Sequence, residues 1–182
     1  MKIAVINGSP KGKYSITLQT VRYLERKFPE HEFVTLHAGQ TIRALERDFT
    51  PARELLAGAD AVMFSYPVYT FLAPSQLHRF IELMKADGVD MTDKYATQIT
   101  TSKHFYDVTA HKYVEENALD LGNEPKNDRH DGSDVEDHQR IEQTDCDDDH
   151  GVGCKRVVAR VVKLHPWPPP HPPRALQKRG RG

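Results

Sequence analysis

Four short apolar runs, each followed by a stretch of helical period, occupy the first 122 residues of this 182-residue chain. That alternation is the strongest constraint in the sequence. Residues 2–6 run apolar and end in Asn7-Gly8, a strand followed by a turn. Leu18, Val21, Leu24 and Phe28 then recur at helical spacing, and Pro29 stops the helix. Residues 33–37 read as a second strand. Thr50-Pro51 predicts a helix start, with Thr as cap and Pro at the first position, and that helix ends near Gly58. Residues 60–65 are almost continuously apolar, as suits a parallel strand covered on both faces. Pro74 opens a helix whose Leu77, Phe80, Ile81 and Met84 form one buried stripe. Residues 95–101 predict a fourth strand, and residues 107–121 a fourth helix closed by Gly122. A βαβαβαβα order calls for a doubly wound parallel α/β sheet with right-handed crossovers.

The chain changes character after Gly122, so we divide it into a folded domain over 1–122 and a low-complexity tail over 123–182. All seven Phe, all seven Tyr and all four Met precede the break. Both Cys, the single Trp and seven of the twelve Pro follow it. Residues 128–150 carry ten acids and two Arg, whereas 151–182 carry eight Lys and Arg and no acid. Such a segment buries too little apolar surface to offset its ordering entropy, so the tail is expected to be disordered. Two origins are open: an evolved acidic-then-basic interaction tail, or a shifted reading frame in a GC-rich gene. The abrupt break at a helix end favours the second. Translating the other two frames of the coding DNA tests it.

The composition also excludes some functions. With 25 Lys and Arg against 26 Asp and Glu, the chain lacks the basic footprint of a nucleic-acid binder. It has no apolar run of about 18 residues to span a membrane. It begins with too short an apolar stretch for a signal peptide, so a cytoplasmic protein is expected. Cys146 and Cys154, with His150 between them, are too loosely spaced to predict a metal centre.

In open α/β sheets, ligands bind beyond the carboxyl ends of the strands. Three loops leave those ends. The first, Asn7 to Thr17, combines Gly8 and Gly12 with Ser9, Ser15 and Thr17 and with Lys11 and Lys13. It enters a helix, where free N–H groups and the positive helix end favour a phosphate. It is neither a Walker A loop nor GxGxxG; a plain turn with a Ser cap is the alternative reading. The second loop, Tyr66-Pro67-Val68-Tyr69-Thr70-Phe71-Leu72-Ala73-Pro74, is stiff and aromatic and suits a planar heterocycle. Taken alone, the loop is better read as a core cap or a subunit interface. The third, Thr100 to Asp107, offers polar groups for a ring edge or a ribityl chain. His104 and His111 are ordinary polar residues, and neither is assigned as a catalytic base.

Gly8-Ser9-Pro10-Lys11 with Ser15-Ile16-Thr17, then Tyr66-Pro67-Val68-Tyr69 and Pro74-Ser75-Gln76-Leu77, resembles the NAD(P)H-dependent FMN reductases. These are flavodoxin-like proteins related to the iron–sulfur flavoproteins. Tyr66 departs from the family's usual Ser or Thr, and His78 from its usual Lys. The resemblance covers residues 1 to about 122. It implies a flavodoxin-like sheet of order 2-1-3-4-5, bound FMN, and NAD(P)H as donor. Carried over by position, Ser9, Lys11, Ser15, Ile16 and Thr17 would hold the phosphate. Pro67, Val68, Tyr69 and Thr70 would line the isoalloxazine, and Thr101, Ser102 and Tyr106 would close the other side. It implies an FMN-dependent oxidoreductase with no catalytic side chain, passing electrons to a quinone, free flavin or electron-transfer protein. It also implies a homo-oligomer. No iron–sulfur cluster is expected, because both Cys lie in the tail. For the fifth strand the sequence offers only residues 157–162. The expectation is that this strand is missing and that strand four is an exposed edge; the alternative is that 157–162 pairs beside strand four after a long acidic loop. A non-catalytic flavodoxin-like remnant or interaction module is the competing function.

Overall fold

The computed structural model describes residues 1–103 and 107–122, together with the backbone of two strands, 139–145 and 155–163. The parallel part is β1 (Lys2–Asn7), β2 (Glu32–Leu36), β3 (Ala61–Pro67) and β4 (Tyr95–Ser102). They lie in the order β2-β1-β3-β4, all parallel. Five helices accompany them: α1 (Ile16–Lys27), α2 (Ala38–Leu45), α3 (Thr50–Ala57), α4 (Ser75–Ala86) and α5 (Val108–Gly122). This is the flavodoxin-like α/β arrangement that the sequence predicts, with α2 as an addition. The helix at Pro51 starts one residue earlier than expected, with Phe49 in the cap position.

Alternation along the strands divides the core between two faces. Ile3, Val5, Ala61, Met63 and Ile99 meet Leu18 and Val21 of α1. Ala4, Ile6, Val62, Phe64, Tyr66 and Ala96 meet residues of α2, α3, α4 and α5. The predicted stripe of α4 is fully buried there: Leu77, Phe80, Ile81 and Met84 are all at most 1% exposed.

The structure corrects the expectation of an open edge at β4. Strand β6 (Lys155–Lys163) pairs with β4 along its whole length, from Tyr95↔Lys163 to Ser102↔Arg156. The pairing is antiparallel, and β5 (Gln139–Asp145) adds to the far side of β6, giving the six-strand order β2-β1-β3-β4-β6-β5. The physical reason is the β-branched run Val157, Val158, Val161 and Val162, a good strand former, beside a strand with unpaired N–H and C=O groups. Of the tail, only the backbone of these two strands is among the described residues. Tyr106, Cys146, His150 and Cys154 lie outside the described residues.

Candidate cofactor site at the carboxyl ends of the strands

The parallel register sets the ends of β1, β3 and β4 side by side: Asn7 is level with Ser65, and Pro67 with Thr101. The chain leaves the sheet there by the three loops singled out above. They enclose a cleft of about 230 Å³. The first loop contributes Ser9, Lys11, Ser15, Ile16 and Thr17, the second Pro67, Val68 and Tyr69, and the third Thr101, Ser102 and Lys103. Ten of the twelve residues predicted from sequence therefore share one cavity. Thr70 does not line it, and Tyr106 is outside the described residues.

The first loop is organised by Asn7. Its buried amide donates to the Gly12 carbonyl at 2.9 Å and meets His37 Nδ1 at 3.0 Å, while its Oδ1 accepts from the Ser9 N–H at 3.1 Å. Gly12 adopts a φ of +54°, a left-handed conformation that strains any residue carrying a Cβ, and its Hα side faces the Gln40 amide. The chain then makes a short 3₁₀ turn over Gly12–Tyr14 and enters α1 through Ser15. Ser15 has the extended backbone of a cap but makes no side-chain capping bond. The first amides of α1 and the Ser15 hydroxyl therefore remain for a ligand. Ser9, Ser15 and Thr17 are at most 2% exposed.

The second loop is a tight hairpin. Tyr69 and Leu72 exchange backbone hydrogen bonds of 2.9 and 3.1 Å, and Thr70 sits at the tip with φ +62°. A β-branched residue in the left-handed region is strained. Thr70 therefore shapes the hairpin that aims Tyr69 rather than touching the cleft. Two bonds tie the three loops together. The Val68 N–H donates to the Thr101 carbonyl at 2.9 Å, and the Thr17 and Thr101 hydroxyls meet at 2.8 Å.

Beneath the third loop lies a buried polar network on the other face of the sheet. Tyr66 O–H donates to Gln98 Oε1 at 2.6 Å and approaches the Ala110 carbonyl at 3.2 Å. Gln98 Nε2 donates to the His111 carbonyl at 3.0 Å, and Thr100 Oγ1 meets His111 Nε2 at 3.1 Å. These bonds pin the first turn of α5 to β3 and β4. They also explain Tyr66 at a position where Ser or Thr is usual: its hydroxyl reaches the helix. His111, 3% exposed, is engaged in this network and does not line the cleft.

Sequence reasoning missed Asn7, Lys103 and α2. Asn7 reads as an ordinary turn residue; its partners lie 5 and 30 positions away. Lys103 falls inside the third loop but carries no motif.

The model of the NADPH-dependent FMN reductase family matches residues 1–114. The chain belongs to that family. The family's cofactor is FMN, and its reductant is NAD(P)H. Solved structures show the same fold as this FMN reductase family member. RosB, described with bound 8-demethyl-8-formylriboflavin-5'-phosphate, superposes with a TM-score of 0.57 at 14% identity over 67% of this chain. FerB, a flavoenzyme NAD(P)H:(acceptor) oxidoreductase from Paracoccus denitrificans, gives 0.55 at 23% identity, covering 66% of this chain and 72% of its own. The NADH:FMN oxidoreductase EMOB, in its apo form, gives 0.53 at 20%, covering 66% and 68%. The chain spans 60% of the length of RosB. No curated protein matches it. Among the described residues, no helix is long and apolar enough to cross a membrane.

Proposed function

We propose that this chain is an FMN-dependent oxidoreductase that takes a hydride from NAD(P)H and passes electrons to a separate acceptor. The acceptor classes that fit are a quinone, free flavin or an electron-transfer protein. The observation that carries this reading is the donor set of the cleft. Buried hydroxyls and uncapped helix amides lie at one side, and a stiff, apolar, aromatic hairpin at the other.

That set fits FMN. Ser9, Ser15 and Thr17, with Lys11 and the first amides of α1, would hold the phosphate. Ile16 would cover it from the solvent side. Pro67, Val68 and Tyr69 would line the isoalloxazine, and Thr101 and Ser102 would close the opposite wall. Tyr106 belongs to the same proposal. Bound flavin supplies the hydride-accepting chemistry; the chain supplies position, shielding and electrostatics. The Val68–Thr101 and Thr17–Thr101 bonds fix the distance between the walls, and Tyr69 shields the ring side from water. The cleft is smaller than pockets that enclose a whole ligand, so one side of a bound mononucleotide would stay reachable for a second substrate. Tyr14, Ile16, Tyr69, Phe71 and Leu72 are all exposed. Apolar side chains exposed so near the cleft support the further proposal that two copies pack there.

The test is a visible spectrum of the purified 182-residue chain after adding FMN and removing the excess, followed by anaerobic addition of NADPH and then NADH. A retained flavin band that bleaches on addition supports the oxidoreductase. A band that persists makes the chain a flavin-binding module without reductase activity. Loss of the flavin from folded protein overturns the assignment.

A further inference from the structure

The charged residues that line the cleft are two lysines, with no carboxylate among the described lining residues. Their places differ. Lys11 stands in the first loop, where its own N–H donates to Ser9 Oγ at 3.3 Å, at the hydroxyl-rich start of α1. Lys103 directly follows β4, two residues beyond Thr101, and lines the cleft together with Thr101 and Ser102. Thr101 in turn is bound through its carbonyl to Val68, in the wall proposed for the ring. The phosphate end is already served by Lys11, three hydroxyls and the α1 amides. Lys103 is a cation on the ring side of the cleft.

We propose that Lys103 is a positioning residue for charge: it raises the reduction potential of bound FMN by favouring the reduced, anionic ring. This rests on the oxidoreductase reading above. When NAD(P)H reduces the flavin, its C–H bond breaks and an N–H bond forms on the ring. NAD(P)⁺ leaves, and the electron pair stays on the ring as negative charge until a proton is taken up. An ammonium group beside the ring stabilises that charge and does little for the neutral oxidised ring. The phosphate charge is the same in both redox states, so Lys11 has no such preference.

The experiment is a spectroelectrochemical titration of FMN bound to the full-length chain, in wild type, Lys103→Met, Lys103→Arg and Lys11→Met. Lys103→Met is expected to weaken binding of reduced relative to oxidised FMN about tenfold, a fall of about 30 mV for a two-electron couple. Lys103→Arg keeps the wild-type potential. Lys11→Met weakens both redox states together and leaves the potential unchanged. Because Lys103 is exposed, the difference between wild type and Lys103→Met also shrinks as salt rises. An unshifted potential in Lys103→Met overturns the proposal while leaving the FMN site standing. So does a parallel loss of affinity for both states, which would make Lys103 a second phosphate contact. Failure of the wild type to bind FMN overturns both readings. If Lys103→Met does not fold, Lys103→Gln carries the same charge test.

Discussion

The two faces of the sheet are unequal. One is covered by four helices and buries large side chains such as Phe49, Leu56, Phe64, Phe80 and Met84. The other is covered, among the described residues, by α1 alone and buries Ile3, Val5, Leu18, Val21, Ala61, Met63 and Ile99. The cleft belongs to the thin face: α1 begins in it, and Thr17 and Thr101 meet there. The thick face carries most of the buried core, and the thin face carries the cleft proposed for FMN. The division is economical because loops at a lightly covered edge leave room for a mononucleotide without opening the main core.

Three measurements would break or sharpen this contrast. The largest effect is expected from Phe80→Ala. Phe80 is fully buried, its ring 5.5 Å from that of Phe49. Its truncation should cost about 3–5 kcal/mol, read by chemical denaturation. Leu18→Ala on the thin face should cost about 2 kcal/mol, the low end for such a truncation, because fewer packed neighbours surround the cavity. Leu18→Ala should nonetheless release more flavin than Phe80→Ala when both are assayed under conditions where they remain folded. Equal stability losses, or the reverse order of flavin loss, would remove the division of labour.

The smallest effect is electrostatic and lies on the thick face. Arg53 of α3 hydrogen-bonds Asp87 at the end of α4, and this pairing holds the Asp87 carboxyl below its ordinary range. A carboxylate whose pKa is lowered by folding contributes stability that is fully present above the unfolded value of about 4. That contribution is lost as pH falls through the lowered native value. Arg53→Gln should therefore lower stability slightly at neutral pH, by the little that a solvent-exposed pair contributes, and match the wild type in strong acid, so that the acid limb of the stability–pH curve is flatter. An unchanged acid limb would show that Asp87 draws nothing from Arg53.

The sequence was most legible where burial is two-sided. Strands β1 and β3 are almost continuously apolar, and α4 shows its stripe at i, i+3, i+4 and i+7. The gathering of the three loops at one cleft was also legible, because the strand order puts the carboxyl ends of β1, β3 and β4 side by side. Helix α2 was not legible: Gly39, Gln40 and Thr41 dilute its start, and only Ala38 and Leu45 are buried apolar residues there. Yet Gly39 is needed, since a Cβ would come within 2.4 Å of the Ser9 carbonyl oxygen. Helix α2 thus supports the first loop through backbone proximity, which leaves no periodic trace. Asn7 was illegible for a related reason. Its role depends on Gly12 and His37 coming close in space, and no spacing in the chain announces that. The pairing of β6 was visible as a β-branched run, but a β-branched run carries no sign of whether it pairs parallel or antiparallel.

The hydroxyl bridge between Thr17 and Thr101 spans 84 positions in sequence and joins the first turn of a helix to the end of a strand. Folding has already fixed the spacing of the two cleft walls at that point. A ligand that needs this spacing meets it ready-made, and the ordering entropy of the walls is lost during folding rather than at the encounter. At the Thr17–Thr101 bridge, the cost of bringing helix and strand together falls on folding and not on association.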